Sequence, residues 1–209
     1  MAETEIQTSF FEFTGNHLCL DFTNTVQDRS TSPRELLNSY SDLVLWSQEA
    51  QLLTEDEASR LREEAKRRRK EAGVVLQRAI DLREALYRIF FAVARGSSPE
   101  KSELSTLNTE FSEAMGRACI MPAKDSFTLD WTDKEKALDR MLWTIARSAA
   151  DLLTSDGLDD VRVCAADDCR WLFLDTSKNH SRRWCDMKSC GNRAKARKHY
   201  TQKKYSAQV

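Results

Sequence analysis

The sequence lacks a long hydrophobic run. None of its 209 residues belongs to a stretch of eighteen consecutive apolar residues, which excludes a helix that spans a membrane. Its first residues, MAETEIQTSFFEF, carry acidic side chains where a secretory signal would carry lysines followed by an apolar core. Since neither a membrane span nor an export signal is visible, we expect a cytoplasmic protein.

The sequence also lacks the short motifs that indicate common enzymes. It has no glycine-rich loop for nucleotides, no nucleophile elbow and no pair of histidines spaced to bind a metal. Internal repeats and low-complexity tracts are missing as well. Hydrophobic residues make up 41% of the chain, which is enough for a core of ordinary size. We therefore expect one main domain with a small appendage, and no enzyme activity.

Charge is distributed unevenly along the chain. The net charge is −1, but the segment from Lys178 to Val209 contains ten Lys and Arg residues and a single acid, Asp186, which gives +9. The preceding 177 residues must therefore carry −10. A basic segment attached to an acidic body is typical of a nucleic-acid-binding arm. Two or three of these cations could instead offset the charge of a metal bound by thiolates.

Four of the six cysteines form two Cys-x4-Cys pairs with fifteen residues between the pairs. They are Cys164, Cys169, Cys185 and Cys190. A tight turn brings both sulfurs of such a pair to one point, so two turns can supply the four thiolates of a closed structural zinc site. The alternatives are two disulfides or four unrelated buried thiols, and a cytoplasmic location disfavours disulfides. Cys19 and Cys119 are interpreted as ordinary buried thiols.

The same segment resembles a known family. The run Asp175-x-Ser177-x-Asn179-x-x-Arg182-Arg183-Trp184-Cys185, followed by Cys190-Gly191-Asn192-Arg193, is similar to the CGNR-type zinc finger of bacterial transcription regulators. In that family the finger follows an ABATE-type domain. Residues 15–25 of this chain, GNHLCLDFTNT, resemble the opening motif of that domain. The resemblance implies a DNA-binding regulator whose N-terminal domain could sense a signal.

The pattern of apolar residues predicts a mainly α N-terminal domain with a small β hairpin or sheet component over residues 1–157. A small zinc-ribbon-like finger of two short strands and a basic helix is predicted over residues 158–209. Helical spacing is clearest from Val74 to Arg95, which should form the central helix of the domain.

Several further elements are predicted less directly. Residues 10–26 favour a hairpin or an extended entry, and Ser32 is expected to cap a helix that runs to Ala50. Phe127–Trp131 alternates and is expected to be a strand that pairs with the N-terminal segment. The basic run Lys66–Lys70 lies among glutamates, which favours a solvated helix face over a nucleic-acid patch.

The finger ends in a helix that is basic on nearly every side. We expect seven side chains of the finger to contact DNA: Arg182, Arg183, Arg193, Lys195, Arg197, Lys198 and Lys204. Arg193 could read guanine or could close the turn after Cys190, and Arg197 is the stronger candidate for base reading. Arg182 and Arg183 could contact phosphates or could neutralise the metal site. Trp171 and Trp184 are expected to cover the metal site on its apolar side.

Polar residues of the N-terminal domain could line a small-molecule pocket. The candidates are His17, Asp21, Asn24, Arg83 and Arg147. These side chains could equally satisfy backbone groups at a buried turn.

The leading hypothesis is a transcription regulator that binds double-stranded DNA. A lone finger with few base-reading side chains gains specificity from a second copy, which favours a homodimer. One alternative is a finger that docks onto another protein. Another is binding of single-stranded RNA, with Trp171, Tyr200 or Tyr205 stacking on bases.

Overall fold

The computed structural model describes residues 9–206, with their side chains except at positions 198 and 201–206. The helices of this part of the chain are α1 (Leu18–Thr23), α2 (Tyr40–Glu49), α3 (Glu55–Arg67), α4 (Arg69–Ala94), α5 (Lys101–Met115), α6 (Arg140–Leu153) and α7 (Asn192–Ser206). A 3-10 turn covers Asp156–Asp160, and a π-helical turn covers Met187–Gly191.

The strands pair two by two as antiparallel hairpins. They are β1 (Val26–Gln27) with β2 (Arg34–Glu35), β3 (Ala118–Ala123) with β4 (Ser126–Trp131), and β5 (Val161–Val163) with β6 (Leu172–Leu174). The predicted fold class is therefore confirmed: a mainly α domain with small β elements precedes a finger of two short strands and a helix.

Polar side chains fix where α2 and α3 begin. Ser39 accepts a hydrogen bond from the backbone of Asp42, whose carboxylate bonds back to Ser39, and Thr54 and Glu57 repeat this arrangement. Such capping boxes satisfy amides that have no partner within the helix. The basic run ends α3 at Arg68, which pairs with Glu64 and Glu71. These ion pairs favour the predicted solvated helix face over a nucleic-acid patch.

Helix α4 lies at the centre of the core, as its apolar spacing predicted. It packs against α1, α5, α6 and the strands β5 and β6, and α1 contacts both α4 and α6. Its buried side includes Val75, Ala79, Leu82, Leu86 and Phe90. The helix starts earlier than predicted and continues through Gly73, because a glycine within a long amphipathic helix costs only about 1 kcal/mol.

Two predictions for the N-terminal segment were wrong. Residues 18–23 form helix α1 rather than part of a hairpin. Ser32 caps no helix, since residues 34–35 form β2 and the next helix starts only after Ser39. The reason is tertiary: the Glu35 carboxylate pairs with the buried Arg83 guanidinium, with Nη2 and Oε2 2.7 Å apart, instead of completing a cap.

The predicted strand at Phe127–Trp131 is present, but its predicted partner was wrong. It pairs with β3, the segment that directly precedes it, with Ile120 opposite Leu129. Pairing across a two-residue connection costs far less loop-closure entropy than pairing with a segment a hundred residues away.

The first hairpin of the finger completes the main core. Val161 and Leu172 belong to the same buried cluster as the helices of the N-terminal domain. The finger is therefore held against the domain by shared apolar packing. Within residues 9–206, no helix is both long and apolar enough to cross a membrane.

Candidate metal centre and basic surface

The four cysteines of the finger converge on one point. Their sulfur atoms all lie within 4.8 Å of one another, and each side chain is buried. Cys185 Sγ lies 3.6 Å from the sulfurs of both Cys169 and Cys190. A zinc ion with Zn–S bonds of about 2.3 Å holds its sulfurs about 3.8 Å apart, so this donor set fits tetrahedral zinc. The four residues are positioned to bind one zinc ion, which would cross-link the two turns.

The backbone places the first pair of sulfurs. Cys164 directly follows β5 and Trp171 directly precedes β6. The amide of Cys164 donates to the carbonyl of Trp171 at 2.8 Å. Between Cys164 and Cys169 the chain turns back, and directly after Cys169 the backbone of Arg170 takes a left-handed conformation with φ 61°. The amide of Ala165 donates to the carbonyl of Arg183 at 2.8 Å, which joins the two halves of the finger.

A capped turn places the second pair. The Asp186 carboxylate accepts from the amide of Ser189 at 2.6 Å and so begins the π-helical turn that carries Cys190. An added Cβ at Gly191 would lie 2.9 Å from Met187 Sδ, so a larger residue here would displace that exposed side chain. Helix α7 continues directly from this turn, so its first residues are fixed relative to the cysteines.

The four thiols of the cluster strongly affect one another's pKa values. Hydrogen bonding with Cys169 lowers the pKa of the Cys164 thiol to about 7. Hydrogen bonding with Cys164 lowers the pKa of Cys190, but it raises the pKa of Cys169 and Cys185. Four thiols this close share their protons, because four adjacent negative charges repel one another. A divalent cation relieves that repulsion, so metal binding releases protons.

The predicted turn residues shape the finger. The Asp175 carboxylate accepts from the amide and the hydroxyl of Ser177, and from the amide of Arg182 at 2.8 Å. Trp171 and Trp184 pack with the cysteines, as predicted. Trp171 is buried and donates its indole N–H to the carbonyl of Val26 at 2.7 Å. Its prediction as an RNA-stacking platform was therefore wrong, because a buried ring has no face to offer a base.

The opening motif of the N-terminal domain binds the finger. The Asn24 carboxamide pairs with the backbone of Leu172, accepting from its amide at 3.0 Å and donating to its carbonyl at 2.9 Å. The carbonyl of Gly15 accepts from the amide of Leu174 at 2.8 Å. Asn16 Nδ2 donates to the carbonyl of Leu174 at 3.1 Å. Three residues of the motif thus extend the hydrogen bonding of β6.

Arg182 has its partners within the fold. Its guanidinium donates to the carbonyls of Thr14, Trp184 and Cys185 and lies over the ring of Phe173, 4.4 Å from its centroid. These contacts favour a structural role for Arg182 over contact with a phosphate.

Arg193 and Arg197 converge on one carboxylate beside the metal centre. Arg197 Nη2 lies 2.6 Å from Asp168 Oδ2, and Arg193 Nη2 lies 3.8 Å from Asp168 Oδ1. Arg193 also donates to Cys190 Sγ at 3.1 Å, which favours its predicted role in closing the turn. Asp167 lies 3.6 Å from Arg197. Asp167 and Asp168 were not selected from the sequence, although their position directly before Cys169 was a usable signal.

Two further predicted DNA contacts, Arg183 and Lys195, lie on the outside of the finger. Arg183 and Lys195 are exposed, and the Arg183 guanidinium lies 5.3 Å from the centroid of the Trp184 ring. The side chains of Lys198 and Lys204 lie outside the described residues, as does that of Tyr205. Helix α7 packs mainly against the π-helical turn before it.

The five residues predicted to line a ligand pocket each have a partner within the fold. His17 Nδ1 lies 3.2 Å from Ser148 Oγ, and burial lowers the pKa of His17. Asp21 accepts from the amide of Gly15 at 2.7 Å, and Asn24 holds Leu172. Arg83 is buried against Glu35 and Glu84, and Arg147 lies 3.5 Å from Asp151. These contacts favour the alternative interpretation, in which polar groups satisfy the fold, and the effector pocket stays a prediction.

Comparison with known proteins agrees with the two motifs. Residues 16–156 match the ABATE family, described as "Putative stress-induced transcription regulator". Residues 161–203 match the CGNR zinc finger. No curated protein matches the chain. Both descriptions denote regulator or zinc-finger types rather than enzymes.

Proposed function

Because the chain belongs to the ABATE family and carries a CGNR zinc finger after it, we propose that it regulates transcription by binding double-stranded DNA through the finger. The observation that carries this proposal is the continuity between the metal centre and α7. The π-helical turn that holds Cys190 runs directly into a helix whose first turns present exposed Arg193, Lys195 and Arg197.

Charge supports a polyanionic partner. The segment from Lys178 onward carries +9 while the rest of the chain carries −10, since ten basic residues there face a single acid. The acidic N-terminal domain repels DNA, so DNA would approach the protein from the side of the basic finger. We assign phosphate contacts to Arg183, Lys195, Lys198 and Lys204. Neutralising about four phosphates would give a slope of about −4 in a plot of log affinity against log salt.

Base reading is assigned to Arg197. Its guanidinium is oriented by the carboxylate of Asp168, a residue that directly precedes Cys169 and lies outside helix α7. An arginine oriented in this way can present two donors to the O6 and N7 atoms of guanine. Arg193 belongs to the turn and Arg182 to the packing of the finger, so neither is assigned to bases.

The N-terminal domain is assigned to signalling rather than catalysis. Its opening motif bonds to β6, so a change in that motif would reach the finger directly. We place the protein in the cytoplasm, where it would meet DNA, and assign it no enzyme activity.

The test is DNA binding by the zinc-loaded full-length protein. Fluorescence anisotropy across a salt series, with fragmented genomic DNA for enrichment, should give binding with a steep salt slope and a preferred site. The double variant Arg197→Ala/Lys198→Ala should weaken binding and flatten the slope. Arg69→Ala/Lys70→Ala is the matched control, since it removes two exposed positive charges from α4. Equal effects of the two double variants would contradict the assignment of the finger.

The alternative functions give different results. A finger that docks onto a protein predicts no DNA binding at low salt and a partner retained after nuclease treatment. Single-stranded RNA binding predicts that RNA displaces duplex DNA. Tyr200, whose side chain is 73% exposed, is the described residue that could still stack on a base.

A further inference from the structure

The β3–β4 hairpin presents one entirely apolar face. Residues directly opposite each other in an antiparallel pair point to the same side, so the register assigns six side chains to each face. One face consists of Ala118, Ile120, Pro122, Phe127, Leu129 and Trp131. The other consists of Cys119, Met121, Ala123, Ser126, Thr128 and Asp130.

The apolar face is covered at its base and open toward its tip. Trp131 packs edge-on against Trp143 of α6, with ring centroids 6.0 Å apart, and its indole N–H donates to Thr144 at 3.2 Å. Farther out, Ile120 is 66% exposed and Phe127 is 77% exposed. A two-stranded hairpin with one uncovered apolar face is marginally stable alone, which indicates an interaction surface.

We propose that this hairpin is a dimerisation arm, which packs by its apolar face against the same face of a second copy of the chain. The face carries no charged side chain and is therefore complementary to itself, as a two-fold interface requires. The proposal concerns oligomeric state and does not depend on DNA binding.

The two-fold arrangement also gives the polar tip a place to bind. The arm spans six residue pairs, or about 17 Å, so antiparallel arms would bring each tip to the base of the other arm. An open groove of about 1010 Å³ lies there, between α5 and the residues that flank the hairpin. Its lining includes Lys101, Glu113, Arg117 and Asp133. The tip carries Lys124 and Asp125, whose charges match acids and bases of the groove.

The areas involved suit a dimer of this kind. The exposed part of the apolar face would bury on the order of 400 Å² per copy, mostly from the phenylalanine and isoleucine side chains. A stable interface needs about 800 Å² per partner, so arm-to-arm packing alone would be too small. Insertion of the tip into the groove would have to bury about 400 Å² more per copy.

Sedimentation velocity on the zinc-loaded full-length chain tests the proposal. At micromolar concentrations we expect a dimer, and the double variant Ile120→Ser/Phe127→Ser should raise its dissociation constant at least about tenfold. Both side chains are exposed, so circular dichroism and zinc content should not change. Met121→Ser is the matched control, because Met121 is 46% exposed on the opposite face of the same hairpin. It should leave the dimer intact.

A second variant tests the tip independently of the apolar face. Lys124→Glu should weaken the dimer several-fold at low salt and less at high salt, because it removes the one base of the tip, whose attraction to the groove acids Glu113 and Asp133 becomes repulsion. A monomer at all concentrations, or a dimer that none of these variants weakens, would overturn the proposal. A dimer weakened by Ile120→Ser/Phe127→Ser but not by Lys124→Glu would overturn the placement of the tip.

Discussion

The Asn24 side chain makes both backbone hydrogen bonds of Leu172. Its Oδ1 accepts from the amide at 3.0 Å, and its Nδ2 donates to the carbonyl at 2.9 Å. Both residues are buried, and 148 positions of sequence separate them. Asn24 therefore occupies the place of a neighbouring strand beside β6 and joins the N-terminal domain to the finger.

Replacing Asn24 by alanine should strongly destabilise the protein. The amide and the carbonyl of Leu172 would both be buried without a partner, at a cost of about 2–4 kcal/mol in the free energy of unfolding. Urea denaturation checks this value. Asn16→Gly is the control, because Asn16 bonds to Leu174 from an exposed position with φ 58°, where glycine removes the side chain without backbone strain. If the two variants lose equal stability, the burial of the Asn24 contact is not what matters.

A methyl group at Gly15 should also destabilise the contact with the finger. An added Cβ would lie 2.9 Å from the backbone nitrogen of Asp21, a rigid neighbour that cannot move aside. Gly15→Ala should therefore lower the melting temperature. Gly73→Ala should raise it slightly, because its Cβ meets nothing within 4 Å and alanine favours helix by about 1 kcal/mol. Changes of the same sign in both variants would contradict this explanation.

Asp21 should make stability depend on pH. Burial raises its pKa from 3.8 to about 6, against the opposing effects of the Gly15 amide and Arg182. The folded state therefore holds its proton more tightly than the unfolded state. The stability due to the protonated form is fully present below the unfolded pKa and is lost as the pH rises through about 6.

Asp21→Asn should remove this dependence while keeping an acceptor for the Gly15 amide. The fall in unfolding free energy between acidic and neutral pH should become smaller by at most about 3 kcal/mol. Asp81→Asn, at an exposed position of α4, is the control. Identical pH profiles for the wild type and Asp21→Asn would show that the Asp21 carboxyl is not the group responsible.

Loss of zinc should destabilise the helical domain as well as the finger. Cys190→Ser removes one of four ligands, so elemental analysis should find substoichiometric zinc. Because Leu172 and Val161 belong to the main core, the melting temperature of the helical domain should fall as well. Cys119→Ser, outside the cluster, should keep one zinc ion per chain. A helical domain that melts as before without zinc would show that the finger and the domain are energetically independent.

Asp168 should limit non-specific DNA binding and support specific binding. Asp168→Asn removes a negative charge beside Arg193 and Arg197 and loosens the orientation of the Arg197 guanidinium. We expect affinity for arbitrary duplex to rise several-fold and the preference for the enriched site to fall. Anisotropy at fixed salt measures both quantities. Asp81→Asn is again the charge-matched control, and the same change in that variant would exclude a local effect.

The sequence alone determined the features that depend on short-range patterns. Two Cys-x4-Cys spacings predicted the four-cysteine centre, because a turn between two ligands is a local event. Helical spacing predicted α4, and the two motifs predicted the families in their order. The partner of β4 was missed because alternation within a strand does not reveal which segment lies beside it.

Only the tertiary structure decided what the polar residues of the motifs do. From the sequence, a binding role and a structural role are equally good interpretations of Asn24, Arg182 and Arg83. Their side chains can bind a ligand, a phosphate or a buried backbone group. Their partners lie far away in sequence: Leu172 for Asn24, Thr14 for Arg182 and Glu35 for Arg83. A side chain's role depends on which unsatisfied group the fold brings to it, and that is fixed only when distant segments pack together.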